Sequence, residues 1–303
     1  MKASVIGVGR LGGLIAYTIA SRGLASEIVL LDQAGALAEG QAMDLAHAMA
    51  HRSQATIRHG AFQDIRGSDV VIVTAGKPRQ PGQTRLDLAK DNAKIVSEIA
   101  GGVKKEAPDA IVITITNPMD AMNWLIWKKT GFARERVIGS GGQLDSARLR
   151  TIIAAKTGAP ASSVEAFVLG EHGESQAPVL SRTKINGAPR QFSEREWEEI
   201  RAALAQTAMQ IIEKKKGTEY APAQCTADMV EAIARDKKTL IPCSAVLDGE
   251  YGLRGLSIGV PCVLGKNGIE KIEEWKLAGH EDKLFRAGAE TVKRTCEEIE
   301  KNP

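Results

Sequence analysis

The first half of the chain alternates short, wholly apolar runs with longer stretches in which apolar residues recur every three or four positions. The short runs predict buried strands, and the longer stretches predict amphipathic helices. The predicted strands cover 3–6, 27–31, 69–74, 111–116 and 136–138, and the predicted helices cover 11–22, 36–50, 86–107 and 119–130. Because strands that are apolar along their whole length need cover on both faces, this half is predicted to form a doubly wound parallel sheet, an α/β architecture.

The pattern changes after about Leu144, where the regular alternation ends. The second half is predicted to contain helices at 144–157, 193–216, 221–235 and 280–300, strands at 164–169, 241–250 and 256–264, and a turn at Asn186-Gly187. Strands followed by helices are typical of an α+β unit packed on the first. A length of 303 residues fits two units. We therefore predict one domain over residues 1–143 and a second over 144–303.

Charge and cysteine content exclude several functional classes. The chain carries 40 Lys and Arg against 37 Asp and Glu, a net charge of +3, with no long block of one sign. This balance argues against a nucleic-acid partner. No apolar run reaches the ~18 residues of a membrane span. The four cysteines are far apart and fit neither a zinc site nor a redox pair, so a cytoplasmic protein is expected.

The helix predicted at 36–50 raises two separate questions. Asp44, His47 and His51 fall on one of its faces, but the string lacks the glutamate of a zinc-binding helix, and a polar or interface face is favoured over a metal site. No metal is therefore predicted. The helix is also richer in small and apolar residues than one core stripe requires, so the remainder is available to meet another subunit.

A glycine-rich turn lies between the first predicted strand and the first predicted helix. Gly7, Gly9 and Gly12 form G-x-G-x-x-G in a strand–turn–helix setting, which is typical of a cradle for a pyrophosphate at a helix N-terminus. Asp32 ends the second strand, twenty positions after Gly12, where a carboxylate can accept both ribose hydroxyls and repel a 2′-phosphate. The pattern predicts binding of NAD rather than NADP. The alternative is a packing turn followed by a loop aspartate.

Three further groups of polar residues suggest an anion-binding cavity with an acid–base group. The loop from Gly76 to Arg85 carries Arg79 and Arg85 between prolines and glycines, and it could close as a lid or remain an exposed basic loop. Asp145 and Arg148 are three positions apart on one helix face, as in many surface ion pairs. His172 lies in a glycine-flanked turn, Gly170-Glu171-His172-Gly173, although a lone histidine is usually structural.

The order of these motifs resembles that of the lactate and malate dehydrogenases, most closely the lactate-dehydrogenase-like malate dehydrogenases. The resemblance rests on Gly7–Gly12, Asp32, the arginine loop, Asn117-Pro118, Leu144–Arg148 and Gly170–Gly173, and it continues through Lys216-Gly217-Thr218 and Gly249–Gly252. It implies a Rossmann NAD-binding domain followed by an α+β substrate domain. It also implies a homotetramer built as a dimer of dimers.

The resemblance assigns roles that the chemistry of the residues supports. His172 exchanges a proton with the substrate hydroxyl, Asp145 orients its ring, Arg148 clamps the carboxylate beside the reacting carbon, and Arg85 polarises the ketone. Substrate contacts are also implied for Asn117, Asn92 and Thr218. Cofactor contacts are implied for Gly7, Gly9, Arg10, Leu11, Gly12, Asp32, Asn92, Ile115 and Asn117.

Arg79 indicates which substrate of the family is used. In the resembling motif an amide at this position accompanies pyruvate, whereas arginine pairs with the second carboxylate of oxaloacetate, because a buried guanidinium facing a methyl group would be unpaired. The sequence thus predicts an NAD-dependent malate dehydrogenase of the tricarboxylic acid cycle. Lactate dehydrogenase and a noncatalytic NADH-sensing protein are the alternatives. Gln83 and Glu174 depart from the usual family residues, and Gln83 lies in the lid.

Overall fold

A computed structural model describes residues 1–78 and 85–301, without the side chain of Arg85. Within these residues the strands, β1 to β14 in chain order, are Lys2–Ile6, Glu27–Leu31, Thr56–His59, Val70–Val73, Ile111–Thr114, Val137–Gly139, Val164–Glu165, Val168–Leu169, Ala177–Pro178, Lys184–Ile185, Ala188–Pro189, Thr239–Asp248, Arg254–Gly265 and Gly268–Ile272. The helices, α1 to α8, are Arg10–Ser21, Gly35–Met49, Arg85–Glu106, Met119–Thr130, Gly141–Thr157, Glu194–Lys215, Tyr220–Ala234 and Gly279–Lys301. No helix in the described ranges is both long enough and apolar enough to cross a bilayer.

Nine strands form one central sheet in the order β14-β13-β12-β6-β5-β4-β1-β2-β3. The six strands from β1 to β6 are parallel, and their order reverses direction beside β1, which places the crossover helices on both faces. The predicted doubly wound α/β class is confirmed. The strands β12, β13 and β14 of the second half extend this sheet as antiparallel strands, joined to it where β12 pairs with β6.

The structure corrects one predicted strand, and the described residues contain five further strands, β3, β9, β10, β11 and β14, that were not predicted. The predicted strand at 164–169 is wrong as a single element, because Val164–Glu165 pairs with β10 while Val168–Leu169 pairs with β9. Strands β3 and β14 were not predicted, since both lie at the edges of the central sheet and lack a continuous apolar run. The predicted turn at Asn186-Gly187 is confirmed, and both residues have positive φ between β10 and β11.

The main core lies along both faces of the parallel strands. Val5, Ile28, Ile72, Ile113 and Ile138 are fully buried, one on each of five neighbouring strands. Each such side chain contributes about 1.5–3 kcal/mol through the apolar surface it removes from water. A smaller core of the second half contains Leu149, Ile153, Val168, Ile200 and Leu204. The parallel strands are therefore a rigid support for the loops that follow them.

Those loops meet at one edge of the sheet. Because β1, β4, β5 and β6 are parallel, their carboxyl ends are side by side, and the chain continues there into Gly7, Thr74, Ile115 and Ser140. The strand order reverses between β1 and β4, and open α/β sheets bind ligands outside such a switch point. The predicted glycine turn and the start of α5 lie at this edge.

Candidate active site

The glycine-rich turn has the shape of a phosphate cradle. Gly7 has a φ of +91°, and a Cβ atom on it would lie 2.4 Å from the backbone nitrogen of Ala75. A Cβ atom on Gly12 would lie 1.9 Å from the carbonyl oxygen of Gly7, so only glycine lets α1 start this close to β1. A Cβ atom on Gly9 would have no other atom within 4 Å, so the N-terminal end of α1 is open to a ligand.

Asp32 lies beside this turn, at the end of β2. Its carboxylate accepts hydrogen bonds from the backbone N–H of Val8 at 2.9 Å and of Ala34 at 3.0 Å. These bonds fix the carboxylate next to the cradle at the position expected for a ribose-binding acid. The side chain of Arg10 in the same turn is mostly exposed and pairs with Glu219 at 2.6 Å. The residues of this corner therefore fit a dinucleotide: an open helix N-terminus for pyrophosphate and a held carboxylate for ribose.

His172, Asp145 and Arg148 form one contact cluster at the start of the second half. His172 Nδ1 lies 2.6 Å from Asp145 Oδ2, and Arg148 Nη1 donates to Asp145 Oδ1 at 2.9 Å. The Asp145 side chain is only 3% exposed, whereas His172 is 18% and Arg148 11% exposed. The buried carboxylate thus joins two basic groups that are both partly exposed. Its contact with Nδ1 leaves the other ring nitrogen, Nε2, for a substrate.

The surroundings of His172 favour the protonated ring. Burial by itself lowers the pKa of His172, because it disfavours the charged imidazolium. The charge and hydrogen bond of Asp145 and the charge of Asp120 act in the opposite direction, and Arg148 opposes them. The net result is a pKa above the ordinary histidine value.

Close packing sets the position of the His172 ring. A Cβ atom on Gly141, the first residue of α5, would lie 2.5 Å from His172 Cγ and 2.7 Å from Met119 Cε. On the other side of the turn, the backbone of Gly170 exchanges two hydrogen bonds with that of Gly259 in β13, at 2.9 and 3.1 Å. The imidazole is thus held between a helix N-terminus and the extended sheet.

The asparagines implied by the resemblance lie after β4 and β5. Asn92 is 1% exposed, and its side chain accepts from the Lys77 N–H at 2.7 Å and donates to the Asn117 carbonyl at 2.7 Å. It therefore braces two neighbouring loops through their backbones. Asn117 is exposed and follows the half-buried Ile115, and its peptide bond to Pro118 is cis.

Four predicted site residues remain to be placed: Thr218, Leu11, Arg79 and Arg85. Thr218 is half-buried between α6 and α7 and precedes Glu219, which contacts the glycine turn. Leu11 is half-buried in the first turn of α1. Arg79 lies outside the described residues; Arg85 opens α3, but its side chain is also outside the description. The predictions for both arginines therefore remain predictions.

Sequence reasoning missed two residues that contact His172. Asp120, in the first turn of α4, accepts the backbone N–H of His172 at 2.7 Å, and Gly141 packs on its ring. The aspartate two positions after Pro118 is visible in the sequence, although it suggests a helix-dipole role rather than contact with a histidine. No local signal identifies Gly141, because its contact spans 31 positions of sequence.

Sequence models of two protein domains match almost the whole chain. The NAD binding domain of lactate/malate dehydrogenase matches residues 1–139, and the alpha/beta C-terminal domain of the same enzymes matches residues 142–302. The chain belongs to the lactate/malate dehydrogenase family. Its first half is the family's NAD-binding domain, with the glycine turn and Asp32 at the site described above.

Individual relatives in the family agree with this assignment. The malate dehydrogenase of Haloarcula marismortui is 42% identical over 301 residues, covering 98% of this chain and 99% of its own. The crystal structure of Cryptosporidium parvum malate dehydrogenase has a TM-score of 0.95 at 36% identity, covering 99% of both chains. The Cryptosporidium parvum lactate dehydrogenase, complexed with lactic acid and nicotinamide adenine dinucleotide, also has a TM-score of 0.95, at 37% identity, covering 100% of this chain and 98% of its own. Fold similarity alone does not separate the two activities.

Proposed function

We propose that the chain is an NAD-dependent malate dehydrogenase that interconverts (S)-malate and oxaloacetate. The observation that carries the proposal is the cluster of His172, Asp145 and Arg148, a buried carboxylate between an acid–base group and an anion-binding group, at the sheet edge that carries the glycine turn. The name of the Haloarcula marismortui relative and its coverage support the choice of malate.

The first domain supplies the cofactor site. The open N-terminus of α1 at Gly9–Arg10 would bind the pyrophosphate, and Asp32 would accept the hydroxyls of a ribose. Further contacts are proposed for Gly7, Leu11, Gly12, Ile115, Asn92 and Asn117. When bound here, NAD would supply the acceptor for the hydride of the substrate carbon. The chain's own residues supply binding, orientation and proton transfer.

His172 is proposed to be the general acid and base. In malate oxidation Nε2 takes the proton of the C2 hydroxyl, and in oxaloacetate reduction the imidazolium returns it to the forming alkoxide. Asp145 fixes the ring through Nδ1 at 2.6 Å and stabilises its charged form. The raised pKa of His172 suits the direction of reduction, which needs the proton present at neutral pH.

Three arginines are proposed to bind the diacid. Arg148 has one guanidinium nitrogen on Asp145, and its other donors would bind the carboxylate next to the reacting carbon. Arg85 would polarise the C2 carbonyl, and Arg79 would pair with the distant carboxylate that distinguishes oxaloacetate from pyruvate. Asn117 and Thr218 would complete the pocket wall, with Asn92 behind them.

Lactate dehydrogenase is the second candidate function, because the Cryptosporidium parvum lactate dehydrogenase matches this fold as well as the malate enzyme does. Arg79 argues against lactate dehydrogenase, because its guanidinium would face the methyl group of pyruvate without an anionic partner. A noncatalytic NADH sensor would retain the glycine turn and Asp32 but has no use for an acid–base pair. Activity measurements separate the three.

The cellular setting and the assembly are also proposed. We infer a homotetramer, since Leu37 and Met43 of α2 are 42% and 57% exposed and Tyr17 of α1 is 42% exposed. A cytoplasmic location and a role in the tricarboxylic acid cycle follow from the proposed reaction, and the four buried free cysteines suit a reducing compartment. We also propose two domains, residues 1–143 and 144–303. Their junction lies in the first turn of α5, which begins at Gly141 after Ser140.

The substrate assignment is tested by comparing Arg79→Gln with the unaltered chain. Purified protein is expected to oxidise NADH with oxaloacetate much faster than with pyruvate. In Arg79→Gln the ratio of kcat/KM for oxaloacetate to that for pyruvate should fall about 100-fold, since a charge-assisted pair of ~2–3 kcal/mol is lost. Arg52→Gln, at an exposed position after α2, is the matched control. An unchanged ratio, or turnover of pyruvate alone, would refute the assignment, and NADH binding without any turnover would favour the sensor.

A further inference from the structure

A second buried carboxylate contacts His172, at its backbone rather than at its ring. Asp120 is 3% exposed, and its Oδ2 accepts the backbone N–H of His172 at 2.7 Å. Its Oδ1 accepts the hydroxyl of Ser244 in β12 at 2.6 Å. Within residues 1–78 and 85–301, no lysine or arginine forms an ion pair with Asp120. Burying a carboxylate without a lysine or arginine partner costs free energy, so we expect Asp120 to have a role that offsets this cost.

The hydrogen bonds behind Asp120 run in one direction. Thr114 donates its hydroxyl to the Asn123 amide oxygen at 2.8 Å, and Asn123 donates its N–H to Ser257 Oγ at 2.9 Å. Ser257 Oγ lies 2.9 Å from Ser244 Oγ, and because Ser244 donates to Asp120, Ser257 is the donor in this contact. Each of these four side-chain contacts is donated in the direction of the carboxylate. Such a chain favours an acceptor without a proton at its end, which is the ionised carboxylate.

The chain connects elements that are distant in sequence. It links β5 and α4 of the first half to β12 and β13 of the second, and all of its side chains are fully buried apart from the nearly buried Asp120. Its last member contacts the backbone, not the ring, of His172. The position of the His172 turn therefore depends on the register between the two halves of the sheet. Asp145 instead contacts the ring itself, at Nδ1.

We propose that Asp120 is a positioning residue for His172, which fixes the backbone of the acid–base residue through a directed hydroxyl chain and adds a second negative charge beside its imidazolium. The inference rests on the proposed function, because it gives His172 the acid–base role. Asp120 does not touch substrate or cofactor in this scheme. It acts through the position and the proton affinity of the imidazole.

Electrostatics around Asp120 agree with this role. Burial raises the pKa of Asp120 to about 6, against the opposing hydrogen bonds from Ser244 and the His172 amide, so the carboxylate is mainly ionised at neutral pH. Its charge in turn raises the pKa of His172. Among the side chains that the structure describes, the titratable and charged groups acting on this pair are Glu171 of the same turn, Asp145 and Arg148 of α5, and Cys296 of α8.

The test compares Asp120→Asn with Asp109→Asn, a change of the same type at an exposed position. Asparagine keeps the size of the side chain and one acceptor oxygen but removes the charge. We expect kcat for oxaloacetate reduction to fall about 10- to 100-fold, while KM for oxaloacetate and the Kd for NADH change little, because the residues proposed to bind them are intact. The alkaline limb of the pH profile of kcat/KM should move to lower pH, since reduction requires the imidazolium. A residue with only a structural role would not move this limb.

Ser244→Ala provides a second variant if Asp120→Asn does not fold. It keeps the carboxylate but removes the donor that favours its charged form, so the limb should move in the same direction with a smaller loss of kcat, about 3- to 10-fold. The proposal is overturned if the alkaline limb of the kcat/KM profile stays in place in these variants and their kcat equals that of Asp109→Asn.

A measurement without turnover separates this proposal from the proposed function. NMR titration of the labelled imidazoles reports the protonation of each of the five histidines, and a His172→Asn variant assigns the signal of His172. In Asp120→Asn the His172 ring should titrate at lower pH than in the unaltered chain. If oxaloacetate is not a substrate, the proposed function fails, yet the shift of this titration still supports the contact with Asp120. An unshifted titration overturns the inference whatever the substrate.

Discussion

A methyl group at Gly141 is expected to displace His172, the proposed acid–base residue, without touching any ligand. Gly141 has no positive φ, so alanine is compatible with its backbone and would by itself stabilise the start of α5 by about 0.4–1 kcal/mol. The added Cβ atom, however, would lie 2.5 Å from His172 Cγ, about 0.9 Å short of the 3.4 Å at which ordinary contact begins. Met119 Cε at 2.7 Å limits movement of the methyl group in another direction.

The imidazole must absorb most of this overlap. Its Nδ1 is held by Asp145 at 2.6 Å and its backbone N–H by Asp120 at 2.7 Å, so the ring cannot move by this amount without lengthening one of these bonds. Misplacement of a reacting group by ~1 Å costs about 100-fold in rate, or about 2.7 kcal/mol of transition-state stabilisation. Gly141→Ala should therefore lower kcat about 100-fold.

The assay is the loss of NADH absorbance with oxaloacetate, together with NADH affinity and thermal unfolding. Gly279→Ala is the matched control, because Gly279 also opens a helix, α8, and a Cβ atom there meets no atom within 4 Å. Affinity for NADH should be unchanged in both variants, since the glycine turn is elsewhere on the sheet edge. A kcat for Gly141→Ala within about twofold of the control would show that the ring position is not set by this contact.

Three other changes test separate parts of the site and of the fold. Asp145→Asn should lower kcat by ~10²–10⁴-fold and move the alkaline limb of oxaloacetate reduction to lower pH, because His172 loses the charge that raises its pKa; an unshifted pH–rate profile would contradict this. Gly12→Ala should weaken NADH binding at least about 10-fold in a fluorescence titration, because its Cβ would lie 1.9 Å from a carbonyl oxygen of the cradle; unchanged affinity would contradict it. Burial alone would raise the pKa of Glu250, but Arg134 and backbone N–H groups lower it to about 2 from 4.5. The free energy of unfolding of Glu250→Gln should therefore be about 2 kcal/mol lower above pH 4.5, and the deficit should disappear as the pH falls toward 2; a deficit independent of pH in denaturant titrations would argue against the ion pair.

The parts of the site that sequence reasoning could predict are those built from local spacing. The glycine turn and Asp32 follow from one strand–turn–helix–strand unit, and the structure places Asp32 on the Val8 N–H at 2.9 Å. The three-residue spacing of Asp145 and Arg148 places both on one face of α5, where they form an ion pair at 2.9 Å. Buried parallel strands were predictable for the same reason, because each is a continuous apolar run.

The features that sequence reasoning missed depend on contacts between distant segments. Ser244 bonds to Asp120 across 124 positions, and no periodic pattern joins the two. Edge strands β3 and β14 have alternating or polar sequences that suit a half-exposed position, and such sequences also occur in loops. The predicted strand 164–169 is split because its first part pairs with β10 and its last part pairs with β9. These two partners are known only from the tertiary structure.

The sheet register connects these distant contacts to the chemistry. Ser244 pairs with Gly139 where β12 joins β6, and this register places the Ser244 hydroxyl within 2.6 Å of Asp120, the acceptor of the His172 N–H. Gly139 leaves room for the approach, because a Cβ atom on it would lie 2.7 Å from Ser244 Cβ and 2.2 Å from Met119 Sδ. The antiparallel extension of the sheet therefore holds His172, the proposed proton-transferring residue, at the carboxyl edge of the parallel strands. Cofactor binding is proposed to depend instead on the turn between β1 and α1, so changes along β12 should alter kcat and its pH dependence while leaving the affinity for NADH intact.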